Sequence, residues 1–107
     1  MNLLILVVDD EPDVEVLFRQ HFRRDLRASR FTMEFAQSAP LALQRINDAS
    51  DRSLILILSD INMPGMSGLE LLPKARATRP DVPIIMITAT ATRRRSAGRW
   101  TVVLRRF

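Results

Sequence analysis

Three short runs of this chain are almost wholly apolar, and they limit it to a few folds. They span Leu3–Val8, Ser53–Ser59 and Pro83–Thr88, and Phe31–Ala36 adds a further strand. A strand that is apolar at every position has both of its faces buried, whereas a strand with one face in water alternates apolar and polar residues. We therefore expect a sheet that is covered by helices on both sides.

The first segment between these strands carries the signals of a helix. Acids and Pro12 within Asp9–Asp13 are typical of a helix start. The apolar residues from Val14 to Leu26 repeat with helical spacing, so this helix is expected to run to about Ala28.

Two serines, Ser38 and Ser67, are expected to cap two further helices. Pro73 falls inside the second of them and should kink or shorten it. One side of this helix is expected to carry Leu69, Leu72 and either Ala75 or Arg76.

Strands and helices alternate along the chain, with short connections. This order predicts the α/β class, with a doubly wound parallel sheet between two layers of helices. In such sheets a site forms beyond the carboxyl ends of the strands.

Acids and a hydroxyl group meet at that edge of the predicted sheet. The first strand is followed by Asp9, Asp10 and Glu11, and the third delivers Ser59 and Asp60, and then Asn62. The fourth strand delivers Thr88 and Ala89. Carboxylates that lie close together repel each other, and a hard divalent cation such as Mg²⁺ relieves the repulsion. A carboxylate such as Asp60 can also act as a nucleophile toward phosphorus.

Three collinear segments resemble the receiver domains of two-component response regulators. They are LLILVVDDEPD at 3–13, DINMPGMSGLELL at 60–72 and PIIMITA at 83–89, and the resemblance covers residues 2–92. It implies a flavodoxin-like fold with strand order 2-1-3-4-5. On this view residues 1–107 form a single receiver domain with an atypical basic tail at 93–107.

The resemblance implies a role for each acid at the strand ends. Asp60 would be the phosphoacceptor and a ligand of Mg²⁺, and Asp10 would bind the metal directly. Asp9 would bind it through water, and the backbone carbonyl of Asn62 would be a further ligand.

The remaining matched residues would serve the switch and the loop. Thr88, with Ala89 beside it, would contact the phosphoryl group, whereas Pro64 and Gly68 would shape the loop. The implied partners are a sensor histidine kinase or phosphotransfer protein, and an output domain or downstream effector. Such a domain is a cytoplasmic switch that catalyses its own phosphorylation and is not a turnover enzyme.

The chain departs from the family pattern after residue 92. Receivers carry a Lys-Pro pair at the end of a fifth strand, and Lys74, on the third predicted helix, cannot replace that lysine. Residues 93–107 hold six arginines and no acid, whereas residues 1–92 have a net charge of −2. The fifth strand and last helix are thus expected to be altered or missing, although Thr101–Leu104 has strand propensity. The tail is a truncated or frame-shifted end, a divergent fifth strand, or a basic arm for nucleic acid or anionic lipid.

Composition and residue spacing exclude several other classes of function. The chain lacks cysteine, which excludes thiol chemistry, and it has no apolar run of membrane-spanning length. An aspartate-nucleophile phosphohydrolase would need a second Asp where Asn62 stands. Nucleic-acid binding is not expected, because no helix-turn-helix segment is present. An inactive or truncated receiver-like module that only binds proteins stays open as the alternative function.

Overall fold

A computed structural model describes residues 3–48, 53–90 and 101–106, with side chains for 3–48 and 53–87. Within these ranges the chain forms five strands and four helices. The strands are β1 (Leu4–Val8), β2 (Thr32–Ala36), β3 (Leu54–Asp60), β4 (Ile84–Thr90) and β5 (Thr101–Arg106); the helices are α1 (Pro12–His21), α2 (Arg23–Arg27), α3 (Ala39–Asp48) and α4 (Gly68–Thr78).

The strands form one sheet with the order β2-β1-β3-β4-β5. The first four are parallel to their neighbours, which confirms the predicted doubly wound arrangement. A fifth strand also forms where Thr101–Leu104 suggested one, but it runs antiparallel to β4. Only residues 91–100 separate β4 from β5, and a crossover to a parallel neighbour takes a dozen residues or more. The departure of β5 from a parallel sheet therefore follows from the length of its connection.

Each face of the sheet carries its own apolar cluster. The larger cluster lies between the sheet and helices α3 and α4, where Leu6, Ile57 and Met86 are almost completely buried. The second cluster lies beneath α1 and α2 and includes Val7, Phe18, Leu58 and Ile87, with several half-buried side chains around them. Burial on both faces explains why the strands are apolar at successive positions.

Two helices differ from their sequence-based predictions. The helix expected to reach Ala28 is interrupted at Phe22, whose ring stacks near Phe18 and meets Phe31 edge to face. Helix α4 continues to Thr78, so it is not shortened at Pro73. Its buried face consists of Gly68, Leu71 and Ala75, whereas Leu69 is 48% exposed. Of the predicted apolar residues, Ala75 is buried and Leu72 packs against the larger cluster, so the prediction was wrong only for Leu69.

Among the helices in the described ranges, none combines the length and the apolar character needed to cross a bilayer.

Candidate functional site

The candidate site lies at the carboxyl edge of the sheet, where three strands end. Asp9 directly follows β1, and Asp60 is the last residue of β3. The last residue of β1, Val8, pairs with Ser59, while Asp60 pairs with Ile87 of β4. Thr88 follows Ile87, so its backbone stands at the same edge. Strand register thus brings together segments that are far apart in sequence.

Three carboxylates form a tight cluster at this edge. Oxygen atoms of Asp9, Asp10 and Asp60 all lie within 4.8 Å of one another. Asp9 is the most buried of the three, with 7% of its surface exposed. Its Oδ1 accepts a hydrogen bond of 2.9 Å from the backbone N–H of Glu11. Its Oδ2 is buried and has no hydrogen-bond partner in the described structure, so this oxygen is available to a ligand.

Burial and mutual repulsion disfavour the charged forms of these acids. Loss of solvent raises the pKa of Asp9 to about 6, although the hydrogen bond from Glu11 opposes the change, and the charge on Asp60 adds to it. Burial likewise raises the pKa of Asp60, and the nearby charge of Asp10 acts in the same direction. The site therefore holds negative charge that its own hydrogen bonds do not compensate.

A hard divalent cation fits this arrangement. Mg²⁺ prefers carboxylate, carbonyl and water oxygens, and it relieves repulsion between carboxylates. The cluster of Asp9, Asp10 and Asp60 offers such oxygens, and the unpartnered Oδ2 of Asp9 lacks the positive partner that buried carboxylates normally have. These three side chains are the ones that would hold the ion.

The backbone around Asp60 is held from two sides. One carboxylate oxygen of Asp60 accepts a hydrogen bond of 3.3 Å from the N–H of Asn62. The hydroxyl of Ser59, which is fully buried, donates to the Asp60 carbonyl at 3.1 Å. This contact of Ser59 was not predicted; the signal in the sequence is a serine at the end of an otherwise apolar strand.

Gly68 closes the loop that follows Asp60. Its N–H donates to the carbonyl of Ile61 at 2.9 Å. A Cβ atom at position 68 would lie 2.0 Å from the carbonyl oxygen of Asp60, so only glycine fits. Ser67 caps α4, as predicted, by accepting from the N–H of Glu70 at 3.2 Å. The start of α4 is thus pressed against the backbone of Asp60.

The rest of the loop between Asp60 and Gly68 contains one buried side chain and a short exposed turn. Met63 is buried in the larger apolar cluster. Pro64 is exposed, and Gly65 turns the chain with a φ of 78°. The left-handed conformation at position 65 favours glycine. The buried methionine and the turn together bring the chain from Asp60 back to α4.

The predicted site residues fall into two groups. Asp9, Asp10 and Asp60 are brought together, and the exposed Asn62 donates to Asp60 from the loop. Thr88 and Ala89 stand in β4, paired with Val103 and Val102, but their side chains lie outside the described residues. The roles assigned to Thr88, Ala89 and the carbonyl of Asn62 stay predictions.

Within the basic tail, the structure describes only the backbone of residues 101–106, which form β5. Residues 91–100 and 107, which include the arginines at 93–95, lie outside the described residues. The lysine of the chain, Lys74, is exposed on α4, whereas the carboxylate cluster lies at the ends of β1 and β3.

The fold and the acidic edge define a class of protein: a flavodoxin-like α/β domain with a candidate cation site beside a strand-end aspartate. The chain also matches the family described as "Response regulator receiver domain" over residues 5–99. That match covers most of the chain, and the chain belongs to this family, as its sequence motifs indicated.

Curated relatives support the same assignment. The chain is 42% identical over 89 residues to the response regulator MprA of Mycobacterium ulcerans, covering 83% of this chain and 35% of that protein. It is 40% identical over 89 residues to MprA of Mycobacterium bovis, covering 83% of this chain and 36% of that protein. The chain thus spans about a third of the length of these relatives.

Solved structures share the fold. The receiver domain of the hybrid histidine kinase CckA superposes with a TM-score of 0.62 at 32% identity, covering 76% of this chain and 70% of that chain. A structure described as adenylate cyclase from Rhodopirellula baltica superposes with a TM-score of 0.70 at 32% identity, covering 84% of this chain and 62% of that one.

Proposed function

We propose that this chain is a phosphoacceptor switch, in which Asp60 accepts a phosphoryl group from a phosphohistidine of a sensor kinase or phosphotransfer protein. The observation that carries the proposal is the position of the Asp60 carboxylate at the end of β3, with oxygens of Asp9 and Asp10 within 4.8 Å. Membership of the receiver family supports the same reaction class.

The transfer would proceed by displacement at phosphorus. A carboxylate oxygen of Asp60 forms the new P–O bond, and the P–N bond to the donor imidazole breaks. The bonding electrons return to the imidazole nitrogen, and an acyl phosphate remains on Asp60. An ionised carboxylate attacks without losing a proton, so the transfer needs no general base and depends mainly on positioning and charge neutralisation.

A bound Mg²⁺ would neutralise charge on the phosphoryl oxygens and on the carboxylates. Asp9, Asp10 and Asp60 are the side chains proposed to hold it, and the carbonyl of Asn62 is proposed as a further ligand. Ser59 and Gly68 contribute by fixing the backbone of Asp60 at both of its sides. Pro64 would serve the same loop.

The proposed readout begins at Thr88. Its hydroxyl would bond a phosphoryl oxygen, and the adjoining backbone of Ala89 would follow it. An output domain or downstream effector would sense the change. The domain is accordingly proposed to be a cytoplasmic switch, with no turnover of an external substrate.

One observation favours a second candidate, a receiver-like module that only binds proteins. Lys74, the lysine within the given sequence, is exposed on α4, so this residue does not supply the cation that the family places beside the phosphoryl group. This second candidate predicts a folded protein that takes up no phosphoryl group.

Intact-protein mass spectrometry after incubation with acetyl phosphate separates the two candidates. The proposal predicts a gain of one phosphoryl group that requires Mg²⁺ and is absent in Asp60→Asn. Protein that is folded by circular dichroism and gains no mass would overturn the phosphoacceptor proposal and leave the binding module.

A further inference from the structure

The strand β2 lies at one edge of the sheet, and its outer side faces no other strand of the described ranges. Its single neighbour among these strands is β1. The ladder between the two is parallel and regular over residues 32–36, without a bulge. An edge of this kind carries a row of backbone groups that can pair with a further strand.

Two hydrogen bonds determine which backbone groups of β2 point outward. The N–H of Thr32 donates to the residue before β1 at 2.7 Å, and the carbonyl of Ala36 accepts from the residue after β1 at 3.0 Å. Thr32 and Ala36 therefore direct their backbone groups to β1. Because successive residues of a strand face opposite sides, the N–H and C=O groups of Met33 and Phe35 are directed away from β1, to the open edge.

A groove of about 420 Å³ lies beside this edge. Its lining includes Phe35 and Ala36 at the end of β2 and one stripe of α3. The residues of this stripe are three or four positions apart, as on one face of a helix, and all are exposed: Leu41, Gln44, Arg45 and Asp48. The outer edge of β2 is thus accompanied by a helix face that α3 does not bury in the core.

The strand β2 lacks the features that protect many strand edges from pairing. Protected edges carry proline, unpaired charges or a bulge, and β2 has none of these. Its one charged residue, Glu34, is paired with Arg45 of α3. An extended segment that adds as a further strand supplies donors and acceptors to outward backbone groups at the spacing of a strand, which other ligands do not.

The charges around the groove favour a basic segment. Glu15, which also lines the groove, pairs with Arg19 at 3.1 Å, and Glu34 pairs with Arg45. Asp48 is exposed and makes no ion pair within the described ranges. One carboxylate of the groove is therefore left unmatched, and a lysine or arginine of the added segment would complement it.

A second copy of this chain fits the edge less well. Antiparallel pairing of two β2 strands would match the outward groups of Met33 in one copy with those of Phe35 in the other. This register places Glu34 of one copy directly opposite Glu34 of the other, and like charges in that position are destabilising. The edge therefore favours a segment of different sequence.

We propose that the outer edge of β2 accepts an extended segment of a partner protein as an added strand. On the side of α3, a basic side chain of this segment would lie toward Asp48 and an apolar one toward Leu41. This inference is independent of the phosphoryl chemistry at Asp60, so Asp60→Asn should bind the same segment.

Amide hydrogen exchange of the whole chain, followed by NMR, tests the open edge directly. In the free protein the amides of Met33 and Phe35 should exchange at least about tenfold faster than those of Glu34 and Ala36, which face β1. Protection of the Met33 and Phe35 amides in the free protein, whether sedimentation shows a monomer or a dimer, would overturn the proposal, because the edge would then already be covered.

Two designed peptides of about eight residues, slightly longer than β2, test strand addition. Both are rich in threonine and carry a valine and a lysine four positions apart, hence on one face of a strand. In one peptide the central amides are N-methylated, which keeps the side chains but removes the donors. Fluorescence anisotropy with the whole chain should show at least about tenfold weaker binding of the methylated peptide.

The unmethylated peptide should also slow the exchange of the Met33 and Phe35 amides, since these groups would bond to the added strand. Equal affinity for the two peptides, or no binding of the unmethylated one, would overturn the proposal.

A third peptide, with glutamate in place of lysine, tests the proposed charge of the segment. It should bind the parent protein about threefold less tightly than the lysine peptide. In Asp48→Lys the preference should pass to the glutamate peptide, whereas Glu70→Lys, a similar change at an exposed position of α4, should keep the parent's preference. An unchanged preference in Asp48→Lys would overturn the assignment of a basic side chain to Asp48.

Discussion

The backbone of Asp60 and the first residue of α4 touch so closely that a single methyl group at Gly68 would lie 2.0 Å from the Asp60 carbonyl oxygen. The same carbonyl accepts the hydroxyl of the buried Ser59. The candidate phosphoacceptor is therefore fixed by its neighbours in the strand and by the helix that follows the loop, and these contacts are open to mutation.

Gly68→Ala should destabilise the protein by about 1–3 kcal/mol, the range for overpacking a closely packed position. The sign is informative, because alanine normally favours a helix over glycine by about 1 kcal/mol. Urea denaturation measures the change. Leu69→Ala, at the neighbouring exposed position, is the control and should cost much less. Equal stability of Gly68→Ala and the parent would contradict the close approach.

Ser67→Ala removes the oxygen that accepts from the N–H of Glu70 at the start of α4. Loss of an N-cap of this kind costs about 1 kcal/mol. Thr78→Ala, at the exposed end of the same helix, should change the free energy of unfolding by less than about 0.5 kcal/mol. Thermal or urea unfolding of the two variants distinguishes the cap from a general effect on α4.

The raised pKa of Asp9 predicts how stability depends on pH in the absence of metal. The folded chain keeps this proton up to about pH 6, whereas the unfolded chain loses it near the ordinary value of 3.8. Between these values the folded state binds more protons, so the free energy of unfolding falls as pH rises.

This loss amounts to at most about 3 kcal/mol for Asp9. The pKa of Asp60 is raised as well, which adds to the loss with the same sign. Urea titrations in EDTA from pH 4 to 7 should show the decline, and Asp9→Asn should reduce it. If the free energy of unfolding instead rose from pH 4 to 7, by the same amount in the parent and in Asp9→Asn, the raised pKa of Asp9 would be contradicted.

Binding of Mg²⁺ to the carboxylates of Asp9, Asp10 and Asp60 should raise the free energy of unfolding. A ligand at a hundred times its Kd stabilises the folded state by about 2.7 kcal/mol. In Asp10→Asn this gain should be largely lost, yet the variant should be more stable than the parent in EDTA, because a charge that repels Asp60 is gone. Asp13→Asn, an exposed change in the first turn of α1, should keep the response to Mg²⁺. A full response in Asp10→Asn would contradict the proposed ligand set.

The parts of the fold that sequence predicts are those set by local pattern. The apolar runs at β1, β3 and β4 indicated strands buried on both faces, and the acids at their ends fell at one edge because parallel strands end together. The cap at Ser67 was predictable from the sequence, because its hydroxyl accepts from the N–H of Glu70, only three residues further along the chain.

The interruption of the first helix and the buried face of α4 involve tertiary contacts, which the sequence pattern did not predict. The interruption of the first helix lies at Phe22, where rings of Phe18 and Phe31 pack at centroid distances of 6.1 and 5.8 Å. At the start of α4, Gly68 lies against the backbone of Asp60, and on the same helix Leu71 is buried whereas Leu69 is exposed. Neither contact is visible in helical spacing alone.

The direction of β5 has a different origin. Strand propensity at Thr101–Leu104 gave a strand but not its direction, which depends on the ten residues between β4 and β5.

The most direct test of the central claim is to locate the acyl phosphate. After treatment with acetyl phosphate and Mg²⁺, borohydride reduction converts a phosphorylated aspartate into homoserine, which peptide mass spectrometry identifies by position. The account predicts homoserine at position 60 alone, dependent on Mg²⁺. Homoserine at another acid, or none in protein that remains folded, would contradict it.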